Sequence, residues 1–280
     1  MGPINRRFAL VVPLLAFAVF FACASGNENS NGNVVIADEA DFRFYLTDDR
    51  AALIIENYLG QLASFEIPSV IQGMPVAQIG RRAFHGFRRE PKISSVTIPD
   101  SVYIIQSEAF AHNILESVTI GNNVAFIGGA AFLDNWLEEV TIPDSVTAID
   151  IRAFSQNRLA SINIPGNVVF IGVGAFMHNH LAKVTLSDSV VHIGSSAFAM
   201  NRLESITIPD SVTRIEAFAF EDNPLTRISI GAGVEIGGLN AHGEYSPSFE
   251  RGFDFFYFAH GRRAGIYTYS NGAWSAEFRY

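Results

Sequence analysis

Residues Leu203–Pro224, LESITIPDSVTRIEAFAFEDNP, form one unit of a pattern that returns every 22 residues without slipping. Phenylalanines fall at Phe110, Phe132, Phe154, Phe176, Phe198 and Phe220, and five residues after each comes Leu115, Leu137, Leu159, Leu181, Leu203 or Leu225. Asparagines hold the same register at Asn113, Asn135, Asn157, Asn179, Asn201 and Asn223. A fixed period in this range marks a solenoid, whose coils bury their apolar faces only against one another.

Within the unit, Ile206 and Ile208 alternate with Thr207, which reads as a short half-buried strand with its isoleucines inward. Pro209 has no N–H to donate and stops that strand. Pro-Asp-Ser then makes a corner, because proline presets φ and the aspartate side chain can bond its own backbone two residues on. Val212 and Ile215 return to the core on a second side, and Ala219-Phe220 closes the coil. Each inward Val, Ile, Leu or Phe contributes roughly 1.5–3 kcal/mol when fully buried, so the array is stable as a whole and a lone coil is not.

Working outward, Val76, Ile79 and Phe84 repeat the spacing of Val102, Ile105 and Phe110, which places the first coil near Phe65. That coil carries a turn cluster at Gln72-Gly-Met-Pro75. Phe84 to Phe110 is 26 residues, so a four-residue insertion falls near Arg88–Pro91. Residues 34–64 read as a β-rich amino-terminal cap, with Phe42, Phe44 and Leu46 on one face of a strand and Ala52–Tyr58 as a second apolar run. Residues 65–236 are the repeats, and residues 237–280 read as an aromatic β-meander cap. In that cap Gly237–Phe249 is loop-like, and Phe253–Phe258, Gly265–Tyr269 and Trp274–Tyr280 are β-type runs, the last two joined by the hairpin signal Asn271-Gly272. The cap's expected role is to cover the open edge of the solenoid. A sharper idea for Tyr267, Tyr269 and Trp274 is carbohydrate binding. The fold class is therefore a β-rich solenoid of 22-residue coils with β caps at both ends.

Composition narrows the function. Of 280 residues 49% are hydrophobic and 17% charged, with net charge −9 and pI about 5.2, so there is no basic footprint for nucleic acid. A single cysteine excludes an intrachain disulfide. That cysteine, Cys23, follows Arg6, Arg7 and an apolar run from Phe8 to Ala22, the layout of an export signal. Ala22-Cys23-Ala24 fits ordinary cleavage to a soluble product. Phe20-Phe-Ala-Cys23 resembles a loose bacterial lipobox of the spirochaete kind, although Phe20 stands where an enteric lipobox prefers Leu. The apolar-free stretch Ser25–Asn33 has the composition of a flexible tether and favours the second reading. Residues 1–22 are thus expected to be a lipoprotein signal peptide, Cys23 the lipid attachment point, and 23–33 the tether.

The unit Leu137–Asn157, LEEVTIPDSVTAIDIRAFSQN, resembles the BspA-like (Treponema-type) leucine-rich repeat. The likeness runs from about Ile67 to Ile236, with Gly121 and Ser187 in place of the proline. The tail, with Gly261–Trp274 reading GRRAGIYTYSNGAW, is similar to the carboxy-terminal segment of spirochaete members. What the resemblance implies is a secreted or surface-anchored binding protein, often a cell-surface adhesin, and no enzyme.

Catalytic and metal readings fare poorly on the residues themselves. Asp100, Asp144, Asp188 and Asp210 share a column, but Asn122 and Gly166 occupy it too, so the column selects for turns rather than for charge. His112 and His178 also share a column, three coils and about 14 Å apart, too far to share a metal. No nucleophile–base–acid set stands out. No catalytic residue, metal or cofactor is expected.

Exposed surface remains. The outward positions of the first strand form three columns, from which the candidate protein-binding face is drawn: Glu116, Ser117, Thr119, Glu138, Glu139, Thr141, Asn163, Lys183, Thr185, Glu204 and Thr207. On the opposite side Ile104, Phe126, Phe170 and His192 share a column interrupted by Ala148, an apolar stripe if it points outward. Two functions fit. One is an exported, lipid-anchored outer-membrane or cell-surface protein that binds a host extracellular-matrix or neighbour-cell protein. The other is a structural scaffold of the cell envelope, periplasmic or secreted.

Overall fold

The computed structural model describes residues 35–239 and 245–279. The expected signal sequence, Cys23 and the tether lie outside the described residues. Every regular coil places two short segments on two sides of a shared core. On one side the two-residue strands Ile104–Ile105, Phe126–Ile127, Ala148–Ile149, Phe170–Ile171, His192–Ile193, Arg214–Ile215 and Glu235–Ile236 pair in parallel without a gap. This sheet continues at its amino end through Met74–Ile79 and Leu53–Tyr58 to the antiparallel strand Phe42–Leu46.

The second side is less regular. Ser64–Glu66, Ser95–Thr97 and Ser117–Thr119 pair in parallel, as do Ser161–Asn163 with Lys183–Thr185 and Ser205–Thr207 with Arg227–Ile230. Residues 139–141 join no ladder, and none joins Lys183–Thr185 to Ser205–Thr207, so this side consists of three separate pieces. Coils pinned at paired-strand spacing on one side can still open on the other. Here they do.

Two columns fill the interior. The rings of Phe84, Phe110, Phe132, Phe154, Phe176, Phe198 and Phe220 stack with centroids 4.8–5.5 Å apart and planes within 13° of parallel. Such pairs add about 0.5–1.5 kcal/mol beyond the area they bury. The asparagines form the second column, and Asn157 shows how. Its Oδ1 accepts the Leu137 N–H at 3.2 Å, while Nδ2 donates to the Phe132 carbonyl one coil back at 2.9 Å and to the Phe154 carbonyl at 3.2 Å. One amide thus satisfies three backbone groups that burial cuts off from water.

Between these columns the chain uses left-handed residues in pairs. Arg152 and Gln156 have φ of 54° and 58°, and Glu108 with His112, Ala130 with Asp134, and Ser196 with Met200 repeat the arrangement. The alternation turns every second N–H toward the next coil: Arg152, Phe154 and Gln156 donate to the carbonyls of Val173, Ala175 and Met177. None of these positions holds a β-branched residue, the type least able to adopt that conformation.

Both ends are closed by chain that departs from the pattern. At the amino end a bulge between Arg43 and Phe44 shifts the register. Phe42 is buried and Phe44 half-buried, while Leu46, expected on the same face, is exposed. The insertion near Arg88–Pro91 has a packing role: Arg89 lies over the Tyr58 ring and donates to the carbonyls of Tyr58 and Gly60. At the carboxy end, Phe249 continues the ring stack on Phe220 at 4.8 Å, and Phe218 and Phe220 donate their N–H groups to Pro247 and Ser248. Residues 247–249 therefore imitate the Ala-Phe closure of a further coil, inside a stretch expected to be loop; Gly238–Leu239 also pairs with Tyr245–Ser246.

The run expected as the first strand of a β-meander is instead an α-helix, Phe253–Ala259. Strand alternation would send Phe253, Phe255 and Tyr257 to one face. Helical spacing buries Phe253 and Tyr257, four apart, and leaves Phe255 64% exposed. Asp254 anchors the first turn by accepting from the N–H groups of Ser248 and Phe249 and from the Tyr245 hydroxyl. Burial pushes its carboxyl above the usual carboxylate range. The other two runs form the hairpin Gly265–Ser270 and Ala273–Phe278, turned by Asn271 and Gly272 at φ of 51° and 80°. This hairpin pairs antiparallel with Arg227–Ile230 and so occupies the edge of the last strand.

Candidate protein-binding face

The alternation of the first strand decides what faces outward. Ile162 and Ile206 are buried, and the residues on either side of them are exposed. All eleven candidates (Glu116, Ser117, Thr119, Glu138, Glu139, Thr141, Asn163, Lys183, Thr185, Glu204 and Thr207) are exposed. Direct register carries Ser117 onto Ser95, and Ser161 and Asn163 onto Lys183 and Thr185, so within each piece the columns read from the sequence are columns in space.

Where residues 139–141 leave the ladder, the surface is concave. A groove of about 840 Å³ crosses these coils, and five candidates line it: Ser117, Thr119, Glu139, Thr141 and Asn163. Glu116, Glu138, Lys183, Thr185, Glu204 and Thr207 are not among its lining residues. The groove also contains residues that sequence reasoning passed over. Val118 and Val140 are half-exposed among its lining residues, where larger isoleucines in the same column, Ile162 and Ile206, are buried. Glu66, Asp100 and Asn122 also border it. With Glu139, and with Glu116 and Glu138 among the candidates, the face is predominantly acidic; Lys183 is the one cation among the eleven.

The other candidate chemistries find structural roles. Asp100 accepts the Asn122 N–H on its side chain, and the carbonyls of Asp100 and Asp144 accept from the amides of Asn123 and Asn167 one coil on. These are corner-to-corner bonds between coils. His112 pairs with Asp134 at 2.9 Å, while burial, followed by the neighbouring His112, holds the His85 imidazole below its ordinary pKa. Among the described residues no group of three or more His, Cys, Asp or Glu is placed to hold a metal ion. Tyr267 is fully buried and Trp274 nearly so, with its Nε1 donating to the Arg251 carbonyl. They pack the cap's interior and offer no aromatic platform for a sugar.

The pattern described as the BspA type leucine rich repeat region matches residues 57–179 and 127–244. The chain belongs to the BspA-type leucine-rich repeat family. Among solved structures this BspA-type chain is similar to a leucine rich cell surface protein from Faecalibacterium prausnitzii, at 32% identity and a TM-score of 0.60, over 77% of this chain and 61% of that one. A leucine-rich repeat protein from Bacteroides ovatus, at 23% identity and a TM-score of 0.58 over 71% and 54% of the two chains, shares the fold. The T. pallidum leucine rich repeat protein matches at 28% identity and a TM-score of 0.48, over 69% of this chain and 81% of that one. The chain thus spans less than two thirds of the length of the first two. No curated protein matches the sequence. Among the described residues no helix is long and apolar enough to cross a membrane.

Proposed function

We propose that this BspA-type protein is exported, held at the cell surface by lipid on Cys23, and acts by binding a protein rather than by catalysis. The partner lies across several coils of the strand face and presents a basic patch to Glu116, Glu138, Glu139 and Glu204. The observation that carries this reading is the strand face, whose exposed side chains include Glu116, Glu138, Glu139 and Glu204, together with the groove lined by Ser117, Thr119, Glu139, Thr141 and Asn163. A broad, shallow surface of this kind suits an extended protein contact and gives a small molecule little to enclose. The similarity to a leucine rich cell surface protein from Faecalibacterium prausnitzii supports the location. In this reading residues 1–22 are the signal peptide, 23–33 the tether, 34–64 and 237–280 the caps, and 65–236 the binding array.

The test is protease treatment of intact cells beside a Cys23→Ala strain. The proposal expects the repeat domain to be shaved from wild-type cells, and the variant to leave the membrane fraction with no lipid mass. A protein that resists shaving in intact cells but is cut after lysis is an envelope scaffold instead.

A further inference from the structure

The unbroken sheet presents a different surface. Two of its columns face outward in strict register. One holds Ile104, Phe126, Ala148, Phe170 and His192; the other, one residue earlier, holds Tyr103, Ala125, Thr147, Val169 and Val191. Phe126 and Phe170 are 36% and 37% exposed, Val191 and Tyr103 38% and 41%, and Val169 49%. Formal charge is absent from both columns over these coils, in a chain of net charge −9 whose other face is acidic. A contiguous apolar patch on a surface otherwise kept polar marks a contact.

The arrangement also has a centre. Reading outward from Thr147 and Ala148, the small Ala148 is flanked by Phe126 and Phe170, then by Ile104 and His192; Tyr103 and Val191 stand equally far out in the second column. Beyond them the two ends differ in charge. At the amino end Arg81 and Arg82 share one partner, Glu108, at 3.3 and 2.6 Å. At the carboxy end Arg214 is itself shared by Glu216 and Glu235, at 3.8 and 3.2 Å, and Glu216 also meets His192 at 3.0 Å. With His85 and His192 counted neutral, these groups leave one excess positive charge at the amino end and one excess negative charge at the carboxy end.

We infer that this face is a homodimer interface in which two copies stack antiparallel about a two-fold axis over Ala148. A two-fold contact needs a patch complementary to itself. Antiparallel stacking supplies it: each Phe126 meets the partner's Phe170, the alanines face each other between the two ring pairs, and the arginine-rich end lies over the glutamate-rich end. Parallel stacking would set like charges together at both ends. Sheets packed face to face lie about 10 Å apart, which side chains of this size fill.

The full chain, purified with Cys23→Ser to remove the native thiol, tests this by sedimentation at tens of micromolar. It should run as a dimer. Phe126→Asp and Phe170→Asp should each weaken the dimer at least tenfold, while Phe255→Asp, an exposed aromatic on the terminal helix, should leave it intact. Register is tested with a short bis-maleimide linker. Ala148→Cys should cross-link to its own copy. Arg214→Cys should not, because its two copies would stand about 29 Å apart along the stack at paired-strand spacing. A mixture of Gln78→Cys and Arg214→Cys should cross-link. A monomer at these concentrations overturns the proposal, and so does self-linking of Arg214→Cys.

Discussion

The regular coils and the carboxy-terminal closure solve one packing problem with different residues. Inside the array, each coil offers an aromatic ring and an asparagine to its neighbour at fixed positions. The closure also extends the ring stack, through Phe249, and also ties down buried backbone N–H groups, through Asp254. It does so once, after an insertion, and with a helix in place of a strand. A repeated solution must fit the copy of itself above and below, which restricts it to a few side chains. A terminal solution meets the array on one side only, so many sequences can supply it. The array is consequently regular and the cap idiosyncratic.

Four substitutions sharpen this contrast. Phe154→Ala removes a fully buried ring stacked on both sides and should cost roughly 3–5 kcal/mol. Chemical denaturation measures it, and hydrogen exchange should show the loss concentrated in the adjoining coils. A curve that overlays the wild type would mean that the stack contributes nothing. Second, Asn157→Ala and Asp254→Ala each leave backbone groups unpaired in buried surroundings, at about 1–3 kcal/mol for each orphaned group. The first should loosen the middle of the array, whereas the second should expose the final hairpin to exchange and leave Phe110–Phe198 protected. Equal loss across the whole chain in both variants would erase the distinction between coil and cap. The smallest effect belongs to Gln156→Val, which puts a β-branched residue at φ of 58° and should cost about 1–2 kcal/mol. A neutral melting temperature there would remove the reason given for excluding such residues.

How much was legible follows the same division. The Phe, Asn, Val and Ile columns repeat, so their period disclosed the solenoid, its corners and its inward faces. The asparagines were visible as a register, but their bonds to Leu137, Phe132 and Phe154 require the coil to be closed in space. In the cap, Phe253–Phe258 is aromatic enough to suit either period, and only the burial of Phe253 and Tyr257 beside an exposed Phe255 decides for the helix. The eleven outward positions were readable from strand alternation. The groove was not, because it arises where residues 139–141 leave a ladder that their sequence resembles closely enough to join. The αL pairs left a trace that is easily missed: two positions per coil from which Val, Ile and Thr are absent.

The most direct test of the account is a binding comparison on the strand face. Purified protein is presented to a panel of extracellular-matrix and plasma proteins beside the triple variant Glu116→Lys, Glu138→Lys, Glu204→Lys, in which one exposed acidic column becomes basic. Against a partner with a basic patch this replaces attraction by repulsion, so binding should fall by at least tenfold, mostly through slower association at low salt, while the melting curve stays unchanged. Undiminished binding by the triple variant, or binding by the isolated segment 237–280 as strong as that of the whole protein, would contradict the assignment of function to this face.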